Sequence, residues 1–151
     1  MNSEPGVYGL LILAASAVCA TSCGSSDEVP VYPVRGQVLV QGQSAENAYI
    51  VCYPQGASVE VQQLTPRGKT TADGRFSLKT YRQGDGAPPG DYKISIVWHP
   101  PPEGMRTDQL HPSELTALPD RLEGRFADPA TSGLTVTVTS GQNELPPFEI
   151  E

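Results

Sequence analysis

The sequence predicts an all-β protein, a sandwich of six to eight short strands. Three observations point there. Gly and Pro number 15 each in a chain of 151 residues, which favours frequent turns over long helices. Apolar and polar residues alternate in several short runs rich in β-branched side chains. Turn signals separate those runs, and no repeat of strand–helix–strand type occurs.

The elements follow in order. Val34–Val40 alternates as a first strand, and Gln41-Gly42-Gln43-Ser44 is a turn. Ala48–Tyr53 is a second strand, which Pro54 closes. Val59–Leu64 alternates more weakly and is expected to be a third. Asp73-Gly74 sits between Lys69–Ala72 and Arg75–Tyr81, the strongest short-range hairpin signal in the chain. Asp91–Trp98 and Leu134–Thr139 are strands, Gly141-Gln142-Asn143 turns the chain, and Phe148–Glu151 adds a last one. Between Trp98 and Leu134 runs a long, Pro-rich connection, residues 99–133. It far exceeds the usual upper limit of roughly 12–15 residues, so it is either functional or a crossover packed on a sheet. Ser113–Leu118 is expected to make a helical turn or two before Pro119 stops it.

The amino terminus reads differently. Residues 7–20, VYGLLILAASAVCA, are uncharged and apolar. That run is shorter than the roughly 20 residues of a membrane span and has the size of an export-signal core. Ala20-Thr21-Ser22-Cys23 and a Gly/Ser stretch follow, and this resembles the bacterial lipobox. The resemblance implies a signal peptide over residues 1–22 and lipidation of Cys23 by diacylglyceryl transfer. Acylation of the new amino terminus, usually with palmitate, would follow. Residues 23–32 would then be a flexible tether to a domain spanning residues 33–151. The sequence departs from that pattern at Ala20, where an aliphatic residue is preferred, and in Met1–Pro5, which holds Glu4 and no Lys or Arg. Cys19 is a poorer acceptor because bulky Val18 precedes it.

Four segments resemble the carboxypeptidase-regulatory-like domain: Val34-Arg35-Gly36-Gln37-Val38, Asn47–Pro54, Thr71–Phe76 and Gly90–Ile94. The 81–90 and 127–134 stretches are similar to those of short bacterial lipoproteins built on that domain. The resemblance implies a seven-stranded, transthyretin-like or Ig-like sandwich in the cell envelope, lipid-anchored and facing the periplasm or exterior. It also implies a binding or structural role without catalysis. Ala72 stands where the hairpin motif often carries Asp, so a carboxylate pair is lost there.

No residue set for catalysis, metal or cofactor emerges. Asp73-Gly74 is explained by turn chemistry, and a calcium site would need Asp73, Asp85 and Asp91 to converge. His111-Pro112-Ser113-Glu114 matches a zinc-type H-x-x-E but has no histidine after it to supply a third ligand. No G-x-S-x-G elbow is present, and the chain ends Phe-Glu-Ile-Glu rather than in the Tyr-Arg-Gly-Ser of hydroxyisourate hydrolases. Cys52 shares a strand face with Ala48 and Ile50 and reads as core. Aromatic side chains offer the expected binding surface: Trp98, His99 and Tyr53, suited to an envelope protein or a polysaccharide ligand. Trp98 also alternates with Ile94 and Ile96 onto one face, which favours a place capping the core. With a net charge of -7, nucleic acid is excluded as a partner. The membrane is reached through the lipid. The alternative is an enzyme or metal-dependent receptor with its site in the connection 99–133. It requires convergence of at least two of His99, Asp108, His111, Glu114, Asp120 and Asp128.

Overall fold

The computed structural model describes residues 1–2 and 28–151. Cys23 and nearly all of the expected signal peptide lie outside the described residues. In chain order the elements are β1 (Val34–Val40), β2 (Gln43–Ser44), β3 (Ala48–Gln55), α1 (Val59–Gln62), β4 (Arg67–Lys69), β5 (Arg75–Ser77) and β6 (Gly90–Trp98). A 3₁₀ turn (Thr107–Gln109), α2 (Pro112–Ala117), β7 (Thr135–Val138), β8 (Asn143–Glu144) and β9 (Phe148–Ile150) follow. Among the described residues, no helix is long and apolar enough to cross a membrane.

The strands form two sheets. In the first, β1 pairs antiparallel with β2 and β5 and parallel with β8 and β9. The second has the order β4-β3-β6-β7, all antiparallel. The all-β expectation therefore holds, with nine strand segments among the described residues where seven were expected. Two of them, β2 and β8, are two-residue ladders too short to leave an alternation signal.

Strand alternation builds the core between the sheets. β3 buries Ala48, Ile50 and Cys52, and β6 buries Tyr92, Ile94 and Ile96. Ile50 stands opposite Ile96, and Cys52 opposite Ile94. Val34 and Val38 of β1, Phe76 of β5, and Phe148 and Ile150 of β9 join the same cluster. Phe76 and Phe148 stack at 6.1 Å between ring centroids.

Two expectations need correcting. β3 does not stop at Pro54, which pairs with Tyr92. Amides of alternate β3 residues point toward β4: Cys52 donates to the Pro66 carbonyl at 2.8 Å. Two residues on, the β4 ladder has ended, so the donor that Pro54 lacks is not needed. The segment expected as a third strand is instead α1. Ser58 is an extended N-cap and its carbonyl accepts from Gln62 at 2.9 Å. Val61 and Leu64 are half-buried at helical spacing, while Val59 is 66% exposed. Among the described residues no strand pairs with it, so the weak alternation has no ladder partner.

The Asp73-Gly74 turn forms, and it is a three-residue loop. Gly74 donates to the Thr71 carbonyl, Thr71 donates to that of Arg75, and Gly74 has φ 74°. A Cβ at Gly74 would lie 2.6 Å from the Val38 carbonyl oxygen, because the turn docks on β1. Its two arms then part. β4 pairs with β3 in one sheet and β5 with β1 in the other, and the arms share the isolated bridge Arg67↔Lys79. The hairpin is thus the corner where the chain passes between sheets.

The connection 99–133 lies along the edge of β6 beyond β7. Ile94 and Ile96 donate to the carbonyls of Leu134 and Phe126, and Leu122 is buried in the core. At the other end, residues within the expected tether touch the domain. Glu28 pairs with Arg82 at 3.2 Å, and Tyr32 bridges Ala87. A Cβ at Gly86 would lie 1.6 Å from the Tyr32 carbonyl oxygen, so this strap crosses bare backbone.

Candidate functional site

Trp98 and His99 lie together where β6 ends. Trp98 is half-buried against the core; its indole Nε1 donates to the Glu46 carbonyl at 2.8 Å and its amide to Asp120 Oδ1 at 2.9 Å. The His99 ring stands edge-on to Tyr49 at 6.2 Å. Its carbonyl accepts from Asn47 Nδ2. Asn47 is fully buried with φ 63°, a left-handed conformation that Asn tolerates. Among the described residues, Asn47 Oδ1 and His99 Nδ1 are buried without a hydrogen-bond partner. Tyr53 is elsewhere. It stands opposite Lys93, whereas Ala48 stands opposite Trp98, roughly 17 Å along β3 and on the other face.

The ionisable groups of the long connection serve local structure. Asp108 pairs with Arg106 at 2.9 Å. His111 caps α2: its amide donates to Glu114 Oε2 at 2.7 Å, and its Nδ1 lies 2.8 Å from Ser113 Oγ. Asp128 Oδ1 accepts from the Ala130 amide. Asp120 accepts from the amides of Trp98, Leu122 and Gly124. Burial pushes the Asp120 carboxyl up, but those three N–H groups and the nearby His99 outweigh it and leave it below its ordinary value. Among the described residues, no three His, Cys, Asp or Glu side chains are placed to hold a metal ion. Cys52 is 1% exposed, and burial pushes its thiol up to about 12, which makes it an inert core residue.

A concave region lies at the split hairpin. Two hollows of about 450 and 470 Å³ adjoin there, sharing Lys69, Ser77 and Gln83 in their walls. One opens on the first sheet, beside Arg35 and Arg75; the other opens on the second, beside Arg67 and Lys79. Cross-strand pairing sets these positions: Arg35 stands opposite Ser77, Lys69 opposite Tyr49, and Arg67 opposite Val51. The Lys69 ammonium lies 5.3 Å from the Tyr49 ring centroid. Gln83 is carried by a loop that Asp85 organises. That carboxylate accepts from the amides of Thr80, Tyr81 and Arg82 at 2.7, 2.9 and 2.7 Å.

The chain matches no protein-family model, no curated protein and no solved structure. Its site must therefore be read from its own geometry. The cleft was not among the sequence-selected residues, although a signal existed. Residues 67–82 hold Arg67, Lys69, Arg75, Lys79 and Arg82 against a single acid, Asp73, in an otherwise acidic chain.

Proposed function

We propose that this chain is a non-catalytic, lipid-anchored protein of the bacterial cell envelope. Its two-sheet domain is a binding or structural module held at the membrane by Cys23. The observation that carries the anchor is the uncharged stretch 7–20 running into Ala20-Thr21-Ser22-Cys23. A diacylated cysteine with a third acyl chain holds far more firmly than a single chain, which binds membranes only marginally. The finer fold reading, a transthyretin-like sandwich, is supported by the order in which the family-like segments occupy β1, β3, the Asp73-Gly74 turn and β6. The non-catalytic reading is supported by the use to which the reactive side chains are put. Asp120, Asp128 and His111 hold backbone turns, and Cys52 fills core.

Mass spectrometry of the protein purified from its native membrane tests the anchor. The expected species begins at Cys23 and carries diacylglyceryl and acyl masses on that residue. An unmodified chain that retains residues 1–22 overturns the reading.

A further inference from the structure

The charge on this molecule is sorted. The chain carries a net charge of -7, yet five of its ten Lys and Arg residues line the split-hairpin cleft: Arg35, Arg67, Lys69, Arg75 and Lys79. Glu144 is the acid among the lining residues. Arg35 and Arg75 have long, exposed ion pairs, at 3.9 Å to Glu144 and 3.6 Å to Asp73. Among the described residues, Arg67, Lys69 and Lys79 form no ion pair. Like charges gathered around a concavity repel each other. They also focus positive potential into the hollow and attract anions there.

From this we infer that the cleft binds an acidic polysaccharide, an extended chain of sugars bearing carboxylates. Its cations face the carboxylates, while Ser77 and Gln83, which line both hollows, offer a hydroxyl and an amide to the sugar hydroxyl groups. Two adjoining hollows that turn a corner between sheets suit a repeating, flexible occupant better than one small anion. Their concavity does not suit a flat bilayer. The inference deepens the reading of the chain as a binding module and does not depend on acylation of Cys23.

The test uses the full chain in neutral detergent and three probes: polygalacturonate, uncharged dextran, and phosphatidylglycerol vesicles compared with phosphatidylcholine vesicles. Polygalacturonate is expected to bind, more weakly as salt rises, and dextran is not. The triple variant Arg67→Gln, Lys69→Gln, Lys79→Gln is expected to lose roughly tenfold to a hundredfold in affinity, each exposed charge contributing a few-fold. Arg35→Gln with Arg75→Gln tests the other mouth independently, and the charge-keeping Lys69→Arg, Lys79→Arg pair should retain binding and show that the cleft still folds. Arg121→Gln with Arg125→Gln, outside the cleft, should change little. No binding to polygalacturonate overturns the inference, as does equal loss in the Arg121/Arg125 variant. A triple variant that loses only its preference for phosphatidylglycerol also overturns it and assigns the cleft to the membrane. A correctly acylated chain that ignores polygalacturonate sinks the ligand and leaves the anchor standing.

Discussion

Asp85 shows how single side chains hold the loops of this molecule. Its carboxylate gathers three consecutive amides, from Thr80, Tyr81 and Arg82, and so shapes the loop that carries Gln83 into the cleft. Burial raises its proton affinity, but the three N–H groups outweigh this, and its pKa is lowered. The same balance lowers that of Asp120. Asp73 is lowered chiefly by the Thr71 hydroxyl and the Arg75 amide. The sign of the linkage follows. A carboxylate with a lower pKa folded than unfolded adds stability above the unfolded value, about 3.9, and that stability is lost as pH falls through the folded value. Unfolding free energy from urea titrations should therefore be nearly flat from about pH 7 to pH 5 and fall below about pH 4. Asp85→Ala should cost about 1–3 kcal/mol at neutral pH, because three amides lose their acceptor, and should shrink the acid-dependent part. Stability that rises on acidification would contradict the assignment.

At the scale of elements, the sequence was legible wherever a strand has one buried face. β1, β3, β6 and β7 were read nearly in full, because Val34 and Val38, like Ile94 and Ile96, lie an even number of residues apart and so fall on one buried strand face. Elements failed where pairing rather than patterning decides. Val59–Gln62 is a helix, and among the described residues no strand pairs with it. The Asp73-Gly74 hairpin was recognised, but nothing local reveals that its arms belong to different sheets; that depends on β1 and β3, distant in sequence, each claiming one arm. The cleft was missed for the same reason, since Arg35 joins the 67–79 cations only through β1–β5 pairing. Energetics should follow the same division. Ile96→Ala removes a fully buried side chain within the β3–β6 ladder and should cost about 2–5 kcal/mol. Val59→Ala, on exposed α1, should stay within about 0.5 kcal/mol. Urea midpoints compare the two directly, and equal costs would reject this packing of α1.

Across the whole molecule, β6 carries an internal gauge of how firmly the long connection belongs to the domain. Its amides alternate between two neighbours. Those of Lys93, Ser95 and Val97 face β3 by ladder alternation, whereas Ile94 and Ile96 donate to Leu134 and Phe126 and Trp98 donates to Asp120. Adjacent amides on one strand thus report separately on the sheet and on the connection. Leu122 decides between two outcomes. It is 1% exposed and part of the core cluster, so its burial ties the connection down by about 1.5–3 kcal/mol. Native-state hydrogen exchange should then show Ile94 and Ile96 exchanging with Ser95 and Val97, at the free energy of global unfolding. If Ile96 exchanges much faster than Ser95 in the unaltered protein, the connection opens as its own unit and this account of its anchoring fails. Leu122→Ala should create that separation deliberately, releasing Ile96 first while Ser95 stays slow. The order β4-β3-β6-β7 places this edge across the second sheet from β4 and the cationic cleft. Loosening it should therefore leave polygalacturonate binding unchanged, which separates the part of the molecule that holds the fold from the part that meets a ligand.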